Sequence, residues 1–133
     1  MENMNPAPEE ILNIDEAPVV QSENVIIENE VLAEIACYAA AEVEGVAEVA
    51  GLKTRDIKSK FGFKNAPNGV KIDKTEEGLV IYLAIIIDSR HSIPETTAKL
   101  RERIKQTLEA MTDNDVKAVN IKISGVHVES EQD

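Results

Sequence analysis

Leu79-Val80-Ile81-Tyr82-Leu83-Ala84-Ile85-Ile86-Ile87 is the most apolar and most β-branched run of the chain, and Gly78 and Asp88 bound it sharply. At about 3.3 Å per residue it makes a strand roughly 30 Å long. A transmembrane helix needs about 20 apolar residues, so this run is too short to be one. Ile81, Leu83, Ile85 and Ile87 face one way, and Val80, Tyr82, Ala84 and Ile86 the other. Both sets are mostly apolar. The expectation is therefore a strand at the centre of a sheet, with water on neither face.

The flanking sequence supplies neighbours for that strand. Upstream, Asn68-Gly69 signals a turn, and Val70 and Ile72 alternate with Lys71 and Asp73. The turn Lys74-Thr75-Glu76-Glu77-Gly78 then makes a hairpin with the central strand. Downstream, Ser92-Ile93-Pro94-Glu95 has capping-box spacing, with Pro94 in the first helical turn where its missing N–H costs little. Ile93, Thr97, Leu100, Ile104, Leu108 and Met111 form an apolar stripe; Lys99, Glu102, Lys105, Gln106 and Glu109 lie opposite. A helix from Ile93 to Met111 is about 28 Å long, which matches the strand. After the break at Thr112 to Asp115, Val119, Ile121 and Ile123 alternate with Asn120, Lys122 and Ser124 as a half-buried strand. Beyond Gly125 the apolar positions move to Val126 and Val128, a slip that signals a bulge or bend.

Nearer the N-terminus, Asn24-Val25-Ile26-Ile27-Glu28 reads as a first strand, followed by Asn29 as an N-cap. A helix from Glu30 to Glu44 stops at Gly45, with Leu32, Ile35, Ala36, Ala39 and Val43 on its inner face. Glu30, Glu34 and Glu44 lie opposite, and Cys37 and Ala41 fall among them, as small residues on an outer surface. Val46 to Ala50 is a further short strand. The order β-α-β-β-β-α-β gives the α+β class, a single β-sheet with two helices packed on one face.

The chain has 133 residues, enough for one core, and a net charge of −11 with two Phe, two Tyr and no Trp. Phosphate backbones repel such a protein, so nucleic-acid binding is disfavoured. The single Cys37 excludes an internal disulfide and fits a reducing compartment. No signal-peptide pattern opens the chain, so the expected location is cytoplasmic. Residues 1–23 hold six acids and no base and read as a disordered acidic tail; 24–129 form the domain and 130–133 a disordered C-terminal tail.

Asp88-Ser89-Arg90-His91-Ser92 contains the residue types of a hydrolytic triad, but a triad converges from separate positions, and Ser92 is taken as a cap. No phosphate-cradling Gly-rich motif or metal-ligand spacing accompanies His91 and His127, so no catalytic residue, cofactor or metal is expected. Lys58-Ser59-Lys60-Phe61-Gly62-Phe63-Lys64 is the one basic, aromatic segment. Three readings stay open: a solvated loop with tucked rings, a surface engaging an acidic protein or anionic lipid, or a stacking platform for single-stranded nucleic acid. Lys58, Lys60, Phe61, Phe63 and Lys64 are thus candidate partner-binding residues. The acidic helix face and the basic second helix could also pair head to tail between copies. That makes Glu30, Glu34, Cys37, Ala41, Lys99, Arg101 and Arg103 candidate self-association residues.

Val31-Leu32 through Ile35-Ala36 and Ala39, then Val43-Glu44-Gly45-Val46, resembles the opening of the alkaline-shock-protein family of Gram-positive envelope stress response proteins. Gly69-Val70-Lys71-Ile72, the strand to Ile87, Ser92-Ile93-Pro94, Leu108 to Thr112, Val119 to Ile123 and Gly125-Val126 follow in family order. The resemblance covers roughly Val25 to Val128. It implies a non-enzymatic, self-associating adaptor or scaffold, held at the inner membrane face by a protein partner such as a small membrane-anchored one. Another branch implies control of acetyl-CoA carboxylase and fatty-acid synthesis. A small nucleic-acid-binding domain is the alternative outside the family. Three positions depart from the family pattern: Ser89-Arg90 replaces an aromatic-Gly pair, the Leu100-Arg101-Glu102 region lacks a common Gln, and Asp113-Asn114 stands where a Gly is usual.

Overall fold

The computed structural model describes residues 25–59 and 69–128, with backbone alone for Lys58 and Ser59. The two expected tails lie outside the described residues, as do Lys60, Phe61, Phe63 and Lys64. The elements in chain order are α1 (Asn29–Ala41), β1 (Val46–Val49), β2 (Leu52–Lys53), α2 (Thr54–Ser59), β3 (Val70–Thr75), β4 (Gly78–Asp88), α3 (Ile93–Thr112) and β5 (Val116–His127).

The decisive run is β4, and it is central. On one edge it pairs in parallel with β5, from Leu79 opposite Val116 to Asp88 opposite His127. Its other edge is shared end to end by two antiparallel strands. β3 takes the first half, from Thr75 opposite Gly78 to Val70 opposite Leu83. β1 takes the second, with Val49 opposite Ile85 and Val46 opposite Ile87, and β2 extends the sheet beyond it. A parallel neighbour requires a long crossover, which α3 supplies. The slip expected near Gly125 is present as a register shift, Ile85 facing Ile123 but Ile86 facing Gly125.

The fold is α+β with one sheet, as the sequence indicates, but it has three helices rather than two. Residues 25–28 form no strand. The first-turn amides of α1, on Val31 and Leu32, bond the Glu28 carbonyl, so the helix begins before a ladder can form. Glu28, not Asn29, is the N-cap, and the Asn29 amide donates to the Ile72 carbonyl at 3.2 Å. The unexpected helix is α2, whose Ile57 is fully buried.

Leu79, Ile81, Leu83, Ile85 and Ile87 are buried, as are Leu32 of α1 and Leu100, Ile104 and Leu108 of α3. Ile57 joins the same cluster, so all three helices cover one face of the sheet. The other face corrects an expectation. Val80, Ala84 and Ile86 are half-buried and Tyr82 is 43% exposed, because no layer among the described residues lies over them. The α3 stripe is also shorter than its periodicity suggests. Thr96, Leu100, Ile104 and Leu108 are buried, while Ile93 and Met111, at the helix ends, overhang the sheet and stay exposed.

The ends of α3 are fixed locally. The Ser92 hydroxyl accepts from the Glu95 amide at 3.3 Å, as its spacing indicates. Asp113 ends the helix in the left-handed region, φ 62°, a conformation that favours glycine. Gly78, at φ 134°, opens β4 where a Cβ would stand 2.7 Å from the Asp115 carbonyl oxygen. Only glycine lets the hairpin pass the start of β5 there.

The two faces of β4 predict opposite outcomes for adjacent substitutions. Ile81→Ala is expected to cost about 2–5 kcal/mol. Tyr82→Ala, one residue along on the open face, is expected to cost under about 1 kcal/mol. Urea unfolding of the two variants checks the contrast.

Candidate interaction surfaces

The candidate self-association face of α1 is largely absent. Glu30 is exposed and Glu34 half-buried, but Cys37 and Ala41 lie in the core, not on an outer surface. α2, which the sequence does not signal, packs on α1 in addition to α3 and the strands β1 and β3. Ala33, Ala36, Ala39, Ala40 and Ala41 are all buried, so α1 is lined by small side chains on several sides and its neighbours approach closely. Burial, with the Glu34 charge adding to it, pushes the Cys37 thiol up to about 11. At neutral pH it is a small buried hydrophobe, not a nucleophile.

The basic members of that set, Lys99, Arg101 and Arg103 on α3, are all exposed. Two are engaged within the chain. Arg103 Nη1 meets Glu42 Oε1 at 2.8 Å and ties α3 to the C-cap of α1. Arg101 Nε donates to the Val119 carbonyl at 3.2 Å, reaching over the sheet edge to β5. Of the partner-binding candidates, only Lys58 falls within a described element, at the end of α2.

The triad-like run serves the turn between β4 and α3. The Asp88 carboxylate accepts from the Arg90 backbone amide at 2.8 Å, from Nε at 3.0 Å and from Nη2 at 2.8 Å. These Arg90 contacts hold the carboxyl well below the usual carboxylate range. His91 Nδ1 stands 3.7 Å from Asp88 Oδ1, and Ser92 is occupied as the cap of α3. Gly45, at φ 99°, lies under this turn, where a Cβ would come within 3.0 Å of His91 Cγ. The cluster is a clamp that closes the turn from β4 into α3, and the Asp88 backbone amide donates to the Gly45 carbonyl at 2.8 Å.

Sequence reading missed the open face of the sheet. Val80, Tyr82, Ala84 and Ile86 run along its centre, Lys71 and Asn120 stand beside Tyr82, Lys122 beside Ala84, and Glu48 beside Ile86. The apolar alternation of β4 concealed it; the signal was in the partners, where Lys71, Asp73, Asn120 and Lys122 put polar residues on the same side. An apolar strip with a polar rim is the composition of a protein-recognition surface. No helix among the described residues is long and apolar enough to cross a membrane.

The family model for alkaline shock protein 23, described as having a cell envelope-related function, matches residues 19–128. The chain is 37% identical over 106 residues to the uncharacterized protein YqhY of Bacillus subtilis strain 168, covering 80% of this chain and 78% of that protein. No solved structure matches it.

Two outcomes follow from the titrating groups. The lone thiol is expected to resist a disulfide reagent at pH 8 in the native protein and to react fully in denaturant, read as absorbance of the released thiolate. Asp88 has a folded pKa below its unfolded value, so its contribution is complete above about pH 4 and is lost as the pH falls further. Asp88→Asn should therefore lower Tm at pH 7, and the gap to the parent protein should close progressively below about pH 4 in thermal melts.

Proposed function

The chain belongs to the alkaline shock protein 23 family, a family of cell envelope-related function, and from that premise we propose that it is a non-enzymatic adaptor or scaffold acting at the inner membrane face through a protein partner. The open face of the sheet is the observation that carries this reading. A strip of four apolar or aromatic side chains on the central strand is left without a covering layer among the described residues. Tyr82 is the natural anchor, since an exposed aromatic with a polar hydroxyl gives large contact area at low entropic cost. Lys71 and Lys122 at the rim favour an acidic partner surface and set its orientation.

Self-association belongs to the same proposal, with its residues revised. Cys37 and Ala41 are inside, and Arg103 is paired to Glu42. Glu30 and Glu34 on α1 and Lys99 and Arg101 on α3 remain at the surface as unlike patches for a head-to-tail contact. Such a contact weakens with salt.

The test uses the full chain in cells with a tagged parent for comparison. Tyr82→Asp places a charge in the strip without touching the core and should move the protein from the envelope fraction to the soluble fraction, with Tm within a few degrees of the parent. Unchanged fractionation of a folded Tyr82→Asp protein overturns the reading. Sedimentation at low and high salt reads the second half: larger species at low salt support it, and monomer alone at every concentration removes it.

A further inference from the structure

β5 runs for 12 residues from Val116 to His127, and among the described residues it pairs with β4 alone. An edge of this length recruits another strand unless it is guarded. On β3, the sheet's edge on the other side of β4, the Asn29 side chain donates to the Ile72 carbonyl at 3.2 Å. On β5 the guard covers only the beginning. Glu109 of α3 accepts from the Val116 amide at 3.0 Å, and Arg101 donates to the Val119 carbonyl at 3.2 Å. A parallel ladder turns the peptide groups of alternate residues to the same side, so those of Ile121 and Ile123 point outward with that of Val119. No side chain among the described residues bonds to either.

α3 lies beside this edge and makes it one wall of a groove. Arg101, Glu102 and Lys105 face Val116 to Asn120 across it. The Ser89 amide donates to the His127 carbonyl at 2.9 Å, so α3 starts near the end of β5 and runs back along it. The groove is therefore cationic beside the first half of the strand. Farther along, the half-buried Ile121 and Ile123 leave apolar surface beside the edge.

The two α3 cations are available. Among the described residues Arg101 uses only its Nε, on Val119, and Lys105 meets no carboxylate. The acids nearby are engaged or turned away. Glu109 is bonded to the Val116 amide, and Glu77 is paired with Lys117 at 2.6 Å. Glu102 stands on the crest of α3, where it borders the cleft on the helix's other side as well and accepts from Gln106 at 2.8 Å.

These features define the occupant. Outward peptide groups call for an extended polypeptide backbone, the isoleucines for aliphatic side chains, and Arg101 and Lys105 for carboxylates. A second copy of β5 fits poorly, because its 12 residues include Lys117 and Lys122 and no acid. A phosphate chain would suit the cations but has no strand backbone for Ile121 and Ile123. The geometry points to an extended acidic segment of a partner protein that adds to β5 as a further strand. Antiparallel addition places its aliphatic residues opposite Ile123 and Ile121 and the acids that follow them beside Arg101 and Lys105. This surface is separate from the open face, so the two proposals fail independently.

The probe is a capped peptide in which threonine alternates with two valines and then two glutamates. It should bind the full chain saturably and slow exchange of the Ile121 and Ile123 amides by about tenfold, leaving the β4 amides unchanged. Arg101→Glu with Lys105→Glu should weaken binding by about tenfold. The same variant should bind the version carrying lysine for glutamate better than the parent does. Tyr82→Asp should leave the affinity for the glutamate peptide unchanged. Binding that does not slow exchange at Ile121 and Ile123 overturns the inference, and so does equal binding of a peptide N-methylated on its β5-facing amides. It also falls if those two amides are as protected as β4 before peptide is added, because the edge is then already covered.

Discussion

Every other feature of the fold depends on how the two edges of β4 are paired. A strand of 11 residues carries too many backbone donors and acceptors to leave unpaired in a core. β5 satisfies one edge along its whole length, and β1 and β3 divide the other. The parallel sense of the β4–β5 pair then fixes α3. The chain leaves β4 at one end of the sheet and must begin β5 at the opposite end, so a 20-residue helix has to run back across one face. The clamp at Asp88 and the Ser92 cap lie at the start of that return, and the left-handed Asp113 lies at its end. The turn after β4 is thus built from residues whose letters suggest catalysis because a short reversal into a helix needs an acceptor, a donor and a cap.

Placing the crossover on one side decides which surfaces remain for recognition. α1 and α2 pack where α3 already lies, since an alanine-lined helix is stabilised by close neighbours on several sides. One face of the sheet becomes the core and the other is left to Tyr82 and its neighbours. The same economy leaves β5 with a single strand neighbour among the described residues. An exposed face and an exposed edge are the two ways a sheet can bind protein, one through side chains and the other through its backbone.

Much of the fold was legible in the sequence, because each main element carries its own signal. The β4 run, the capping box at Ser92, the alternation of Val119, Ile121 and Ile123 and the slip at Gly125 all lie where pattern and turn chemistry put them. The errors share a cause. Cys37 and Ala41 sit among acids on the α1 helical wheel, yet both are buried in a helix that α2, α3 and the sheet all contact. A wheel reports the face a helix would choose with one neighbour; α1 has three. The open face failed in the opposite sense. Val80, Ala84 and Ile86 are apolar enough to suggest cover, and only the cross-strand partners Lys71, Asn120 and Lys122 signal a face with no layer over it among the described residues. Both errors are tertiary, and no local periodicity contains them.

Charge links these surfaces to the acidity of the whole chain. A net charge of −11 suggests a protein repelling anything negative. The acids are unevenly placed, however: residues 1–24 and 129–133 hold nine of the 25 and none of the basic residues. The described domain is much closer to neutrality, and it gathers cations on α3 and on the rims of its sheet. Net charge therefore repels phosphate-rich surfaces from the molecule as a whole, while the local charge of the domain attracts acidic ones. The same asymmetry gives the acidic ends and the basic rims opposite responses to salt, since screening frees the first from repulsion and weakens the pull of the second on acidic groups. The attraction of such a surface depends on its ionic surroundings, whereas the apolar strip through Tyr82 is insensitive to screening, so any contact made there persists in salt.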